Sequence, residues 1–204
     1  MSKTRLEAFS DGVIAILITI MVLELRAPHG ASWASLRPVV PSVLTYLLSF
    51  VLVGIYWNNH HHLLQATERI DGATLWANLH LLFWLSLVPF VTSWMGENHY
   101  EAVPTAVYGV VLLGCAIAFT ILTRTILHAQ HGRNRRLAAA LGSDFKGKLS
   151  LAFYVAAIPL AFVHQTIADI LYVAVALIWF VPDRRIESKL DAEHTEAIVV
   201  EGST

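Results

Sequence analysis

An all-α integral membrane protein with six transmembrane helices is the fold class this sequence predicts, and three observations predict it. Apolar residues fill 56% of the 204 positions and charged residues only 14%, a balance outside that of soluble domains. The apolar residues gather into runs close to the roughly 20 residues that cross a bilayer core as a helix. Lys and Arg are spread unevenly among the connections, which is how membrane topology is encoded. The formal net charge of −1 decides nothing, because position along the chain matters and the sum does not.

The runs fall at roughly 8–26, 40–61, 73–95, 103–126, 149–163 and 166–182. The stretch 149–182 is nearly continuous, interrupted by His164, Gln165, Thr166 and Asp169. It is too long for one ordinary span, so a tight turn at His164–Gln165 divides it into two short helices. Six spans put both termini on one side. On that side lie Lys3, Arg5, Arg69, Arg124, Arg133, Arg135, Arg136, Lys146, Lys148, Arg184, Arg185 and Lys189, 12 of the 14 basic residues, with Arg26 and Arg37 opposite. The expectation is a multi-pass protein of the cell membrane with both termini cytoplasmic. The connection at 96–102, GENHYEA, holds only acids and a histidine and agrees with an external position.

Residues 1–186 read as one transmembrane unit, and 187–204 as an acidic, aromatic-poor, flexible tail. The basic stretch 127–148 suits anionic lipid head groups better than nucleic acid. Cys115 stands alone in an apolar run, which excludes an intrachain disulfide and fits a small buried hydrophobe.

The first helix is the most informative element. It opens with Arg5, Glu7, Ser10 and Asp11 and continues as GVIAILITIMVLEL. A charge at membrane depth costs about 2.5–3.5 kcal/mol even on the lenient insertion scale, so it faces a partner or a water-filled path. At about 100° per residue, Ile16, Ile20 and Leu23 share one side with Gly12, Thr19 lies roughly 60° from Ile16, and Asp11 roughly 140° away. Copies of this helix around an axis would stack rings of Ile16, Ile20 and Leu23 into a constriction that gates by dewetting. Glu24 would then gather cations at the outer mouth. Ser10 and Asp11 would turn back into the subunit toward Asn58, Asn59, His60, His61, His62, Asn78 or His80, since polar groups in lipid need partners. Periodicity alone also allows the stripe to face lipid or the subunit core, because almost every face of 12–23 is apolar.

Two other function classes compete. A metal enzyme is suggested by ten histidines, including His60-His61-His62. Consecutive helical residues point about 100° apart and cannot share a metal as i and i+4 histidines do, and no H-E-x-x-H occurs. A small secondary transporter for a cation or organic solute is the stronger rival, since Gly54, Pro89 and Pro159 could break helices around a midplane site. The first helix, however, has no unwinding Gly/Pro pair at mid-depth.

The sequence resembles the prokaryotic transmembrane protein 175 family of potassium channels. Arg5-x-x-x-Phe9-Ser10-Asp11 followed by GVIAILITIMVLEL is similar to that family's signature, with further support from YWNNHHHLL (56–64), NLHLLFWLSLVPFVTSWMGE (78–97) and AVYGVVLL (106–113). The resemblance implies a homotetramer of six-helix subunits whose first helices line a pore for potassium and other monovalent cations, with no cofactor. It maps the constriction onto Ile16, Ile20 and Leu23, the selectivity threonine onto Thr19, and the bracing residues onto Arg5, Phe9, Ser10 and Asp11. His60, Asn78 and His80 are the expected partners of that brace. Such channels lack a backbone-carbonyl filter, and no TVGYG-like loop is present here.

Overall fold

The computed structural model describes residues 2–67, 69–129 and 145–180. Arg133, Arg135, Arg136, Arg184 and Arg185, and the acidic tail with Lys189, lie outside the described residues. The chain is all-helical: α1 spans Lys3–Leu23, a 3-10 segment Trp33–Val39, α2 Val40–Gln65, α3 Gly72–Ser86, α4 Val88–Glu97, α5 Ala102–Ala129, α6 Phe145–Leu160 and α7 Gln165–Phe180. With α3 and α4 taken as one broken rod, these make six. Among the described residues four are long and apolar enough to cross a bilayer: α1, the 3-10 segment with α2, α3 with α4, and α5. α7 is apolar but shorter.

The breaks have local causes. Pro89 has no N–H to give the preceding turn, and its ring disfavours helix just before it. The rod loosens at Leu87, whose N–H tightens onto the Trp84 carbonyl at 3.2 Å. Pro159 stands at the end of α6, where Phe162 and His164 close the turn on the Pro159 and Leu160 carbonyls at 3.2 and 2.8 Å. The expected division of 149–182 thus occurs, with the turn over 161–164. α3 starts on Asp71, whose carboxylate accepts from the Thr74 N–H at 2.8 Å and its hydroxyl at 2.7 Å. This is a side-chain N-cap. These two bonds, the backbone one foremost, hold the Asp71 carboxyl below its usual range.

α5 is the post on which the others lean, packing on α3, α4, α6 and α7, while α1 packs on α2, α3 and α4. Tyr108, Tyr154 and Tyr172 are fully buried among α5, α6 and α7. Hydroxyls knit the core where lipid offers no water: Ser49 on α2 lies 2.7 Å from Thr92 on α4 and 2.9 Å from Tyr108, and Tyr172 donates to the Thr105 carbonyl at 3.0 Å. Two glycines of α5 admit large neighbours, for a Cβ on Gly109 would strike the Tyr172 hydroxyl and one on Gly114 the Trp84 ring.

The antiparallel order gathers the start of α1, the end of α2 and the start of α3 at one end, where Lys3 donates to the Gln65 carbonyl at 2.8 Å. At the other end Arg26 meets Glu97 at 3.3 Å, and the Tyr100 hydroxyl donates to the Pro41 carbonyl at 2.9 Å.

Candidate functional site: the first helix and its supports

α1 has two contrasting faces. Leu6, Ser10, Ile14, Leu17 and Met21 are buried against the rest of the subunit. The opposite face carries Ile16, Ile20 and Leu23, which are 57%, 38% and 79% exposed. Of the two orientations that periodicity allowed, facing the subunit core is removed. Gly12 belongs to this outer face and has open space around it. The Thr19 hydroxyl donates to the carbonyl of Ile16 at 2.9 Å. Its proton is therefore committed, and its oxygen lone pairs remain free to accept. Glu24 caps the C-terminal end of α1 and is exposed.

The polar end is held from two directions. Ser10 accepts from the Asn78 amide at 3.0 Å, and the Asn78 carbonyl oxygen lies 2.7 Å from His60 Nε2. Because that oxygen can only accept, His60 carries its proton on Nε2. All three residues are buried, so the chain locks α1 to α3 and α2. His60 Nδ1 has no partner among the described residues.

Asp11 departs from the expected pattern. Its carboxylate accepts from the Trp57 indole N–H of α2 at 2.9 Å, while Asn78 and His60 engage Ser10. Helix geometry explains the difference, since Asp11 lies about 100° from Ser10 and points along the α1–α2 seam instead of inward. Trp57 in turn stacks on His61, with ring centroids 5.9 Å apart. The remaining residues of the expected brace stand apart within the protomer. Arg5 is exposed, Phe9 is 47% exposed on the outer face, and His80 accepts instead from Trp84 Nε1 at 3.0 Å.

A groove that sequence reading missed runs between the C-terminal half of α1 and the broken rod. It measures about 470 Å³, with Leu17, Ile20 and Glu24 on one wall and Pro89, Phe90, Ser93 and Trp94 on the other. Pro89 was the available signal, but the groove needs two helices to define it.

The family model described as endosomal/lysosomal potassium channel TMEM175 matches residues 5–89. A potassium channel of Chryseobacterium sp. (strain P1-3) is 55% identical over 190 residues, covering 93% of this chain and 98% of that one. A potassium channel of Streptomyces collinus is 36% identical over 176 residues, covering 77% and 85%. The crystal structure of a lysosomal potassium-selective channel TMEM175 homolog from Chamaesiphon minutus superposes with a TM-score of 0.76 at 30% identity, covering 87% of this chain and 95% of that one. With the Arg5…Phe9-Ser10-Asp11 start inside the matched region and the fold shared over most of its length, the chain belongs to the TMEM175 family.

Proposed function

We propose that this chain is one subunit of a potassium-preferring cation channel, a homotetramer in which four copies of α1 surround the pore. The observation that carries the reading is the exposed Ile16–Ile20–Leu23 line on a helix whose opposite face is buried and whose polar end is fastened to two neighbours. Relatives named as potassium channels, at 55% and 36% identity, support the choice of ion.

Rings of Ile16, Ile20 and Leu23 form a constriction that repels water, so an ion crosses when the rings widen or partly wet. The rings offer no oxygen ligands. Preference for potassium then rests on its weaker hydration, helped by the free lone pairs of Thr19 and by Glu24 concentrating cations at the outer mouth. For topology, Lys3, Arg5, Arg69, Lys146 and Lys148 belong to one end of the bundle and Arg26 and Arg37 to the other. The positive-inside rule makes the first end, with the N-terminus, cytoplasmic.

The test is potassium-driven flux into liposomes holding purified protein. Ile16→Asn should wet the constriction, raise flux and weaken discrimination against sodium. Leu17→Asn, on the buried face, should lower stability without opening a path. Equal flux and equal ion preference in the two variants would place the path elsewhere. Saturable, proton-coupled flux in the unaltered protein would favour a transporter.

A further inference from the structure

The connection from α1 to α2 carries a short amphipathic element that the channel reading does not use. The 3-10 segment Trp33–Val39 packs chiefly on α2 and holds no buried residue. At three residues per turn, side chains three apart eclipse. Trp33, Leu36 and Val39 therefore make one apolar ridge, and Ala34 and Arg37 lie on the ridge beside it. Trp33 is 90% exposed and Leu36 42%. Arg37 is exposed and has no ion-pair partner among the described residues. The turn before the segment has a definite shape: Gly30 stands at φ 114°, a Cβ there would strike Ser35 Oγ, and the Ser32 and Ser35 hydroxyls pair at 3.1 Å.

The segment leaves the bundle at head-group depth. α2 has 26 residues and rises about 39 Å at 1.5 Å per residue, more than the roughly 30 Å of hydrocarbon, so its ends stand in the polar layers. A Cβ on Gly96 would strike the Ser42 backbone, which brings the end of α4 level with the start of α2. There Glu97 holds the exposed Arg26 at 3.3 Å. Toward the membrane interior, the apolar surface continues from Val39 along α2 through exposed Val40, Leu44 and Leu47.

We infer that Trp33–Val39 is an interfacial anchor: its Trp33–Leu36–Val39 ridge rests in the head-group layer of the leaflet at the Arg26 end, and Arg37 binds a phospholipid phosphate there. Tryptophan suits that depth, with an apolar body for the acyl boundary and an N–H for the wet side. The guanidinium fork of arginine matches the oxygens of a phosphate. An apolar ridge beside a basic position is the pattern of helices that lie in the interface without crossing it. Charge complementarity selects the occupant, because the unpaired cation stands at the layer where phosphates lie. Joined to α1 through residues 24–32, the anchor fixes the level at which α1 ends against the bilayer surface.

The test reads the fluorescence of Trp33 in full-length protein reconstituted into phosphatidylglycerol vesicles. The chain has six tryptophans, so the Trp33 signal is the difference between the parent and Trp33→Phe. No residue of the segment is buried, and the substitution spares the core. The expected result is an emission that is lost in vesicles of brominated phosphatidylglycerol and shielded from aqueous acrylamide. Quenching by acrylamide with no loss in brominated lipid would put the segment in water and overturn the inference. Shielding from both quenchers would mean that protein covers the ridge, a second copy of the chain included, and would overturn it as well. Arg37→Gln, with Arg37→Gln/Trp33→Phe as its reference, examines the phosphate contact. Quenching by brominated lipid should fall and quenching by acrylamide rise, whereas an unchanged pattern would overturn the phosphate contact and leave the ridge in the interface.

Discussion

Trp57 donates its indole N–H to the Asp11 carboxylate at 2.9 Å, tying α2 to the polar start of α1 along their seam and outside the buried core. Neither group is buried within the protomer. The bond should therefore contribute less than a buried charge pair, whose disruption costs about 3–5 kcal/mol. Trp57→Phe and Asp11→Ala should each lower stability by about 1–2 kcal/mol. The double variant should cost less than their sum, because each single change already removes the same bond. Thermal unfolding in detergent reads the cycle, and strict additivity would show that the pair is not coupled.

Asn78 serves two buried partners, Ser10 and His60. Asn78→Leu leaves both unpaired, and an unsatisfied buried polar group costs about 1–3 kcal/mol. It should therefore destabilise more than Ser10→Ala, which strands the Asn78 amide alone. Equal losses in thermal unfolding would mean that the His60 link contributes nothing.

Thr19→Val keeps the shape of the side chain and removes its oxygen. If that oxygen is the polar step between apolar rings, single-channel conductance should fall while the assembled protein keeps its thermal stability. Thr19→Ser retains the oxygen and should conduct nearly as the parent does. Planar-bilayer recordings of the two variants make the comparison.

Gly114→Ala places a methyl group into the Trp84 ring. Overpacking of this kind costs about 1–3 kcal/mol, and the displaced indole should shift the tryptophan emission. Gly54→Ala meets nothing within 4 Å and should change stability by no more than about 0.5 kcal/mol, as an added methyl in open space does. The two melting curves decide it.

The cap at Asp71 sets a pH dependence. Its folded-state pKa is depressed, so its contribution is fully present above the unfolded value of about 3.9 and disappears as pH falls through the lower folded value. Asp71→Ala should cost about 1 kcal/mol at neutral pH. The gap between parent and variant should close only in strong acid, as followed by melting temperature against pH.

Much of this arrangement was legible in the residues. The polar start of α1 marked it as a helix held by polar partners on its neighbours, and His164–Gln165 marked the α6–α7 turn because polar residues interrupt an apolar run too long for one span. Helix periodicity also gave the inward direction of Ser10, but it left the Ile16 line open between the subunit core and the outside, and only the packed helices turn it outward. Periodicity could not name the group facing Asp11, since that depends on how α2 is rotated and shifted against α1. Trp57 was consequently passed over in favour of the neighbouring histidines. Arg5 and Phe9, expected in the brace, are turned outward in the protomer, and His80 is taken by Trp84 one turn along its own helix. The groove depends on two elements at once, and no single stretch of sequence contains it.

The notches in α5 bear on how the chain selects one arrangement while folding. Inside a bilayer, lipid tails are as apolar as leucine, so burying more apolar area scarcely distinguishes one helix register from another. Gly109 and Gly114 make that distinction sterically, each accepting a ring from a different helix, Tyr172 of α7 and Trp84 of α3. A slip of one residue would bring Val110 or Cys115 under those rings, and their side chains would forbid the close approach. The two glycines act as index marks, fixing how far α3 and α7 slide along α5 and thereby the depth at which Asn78, on α3, meets Ser10 of α1.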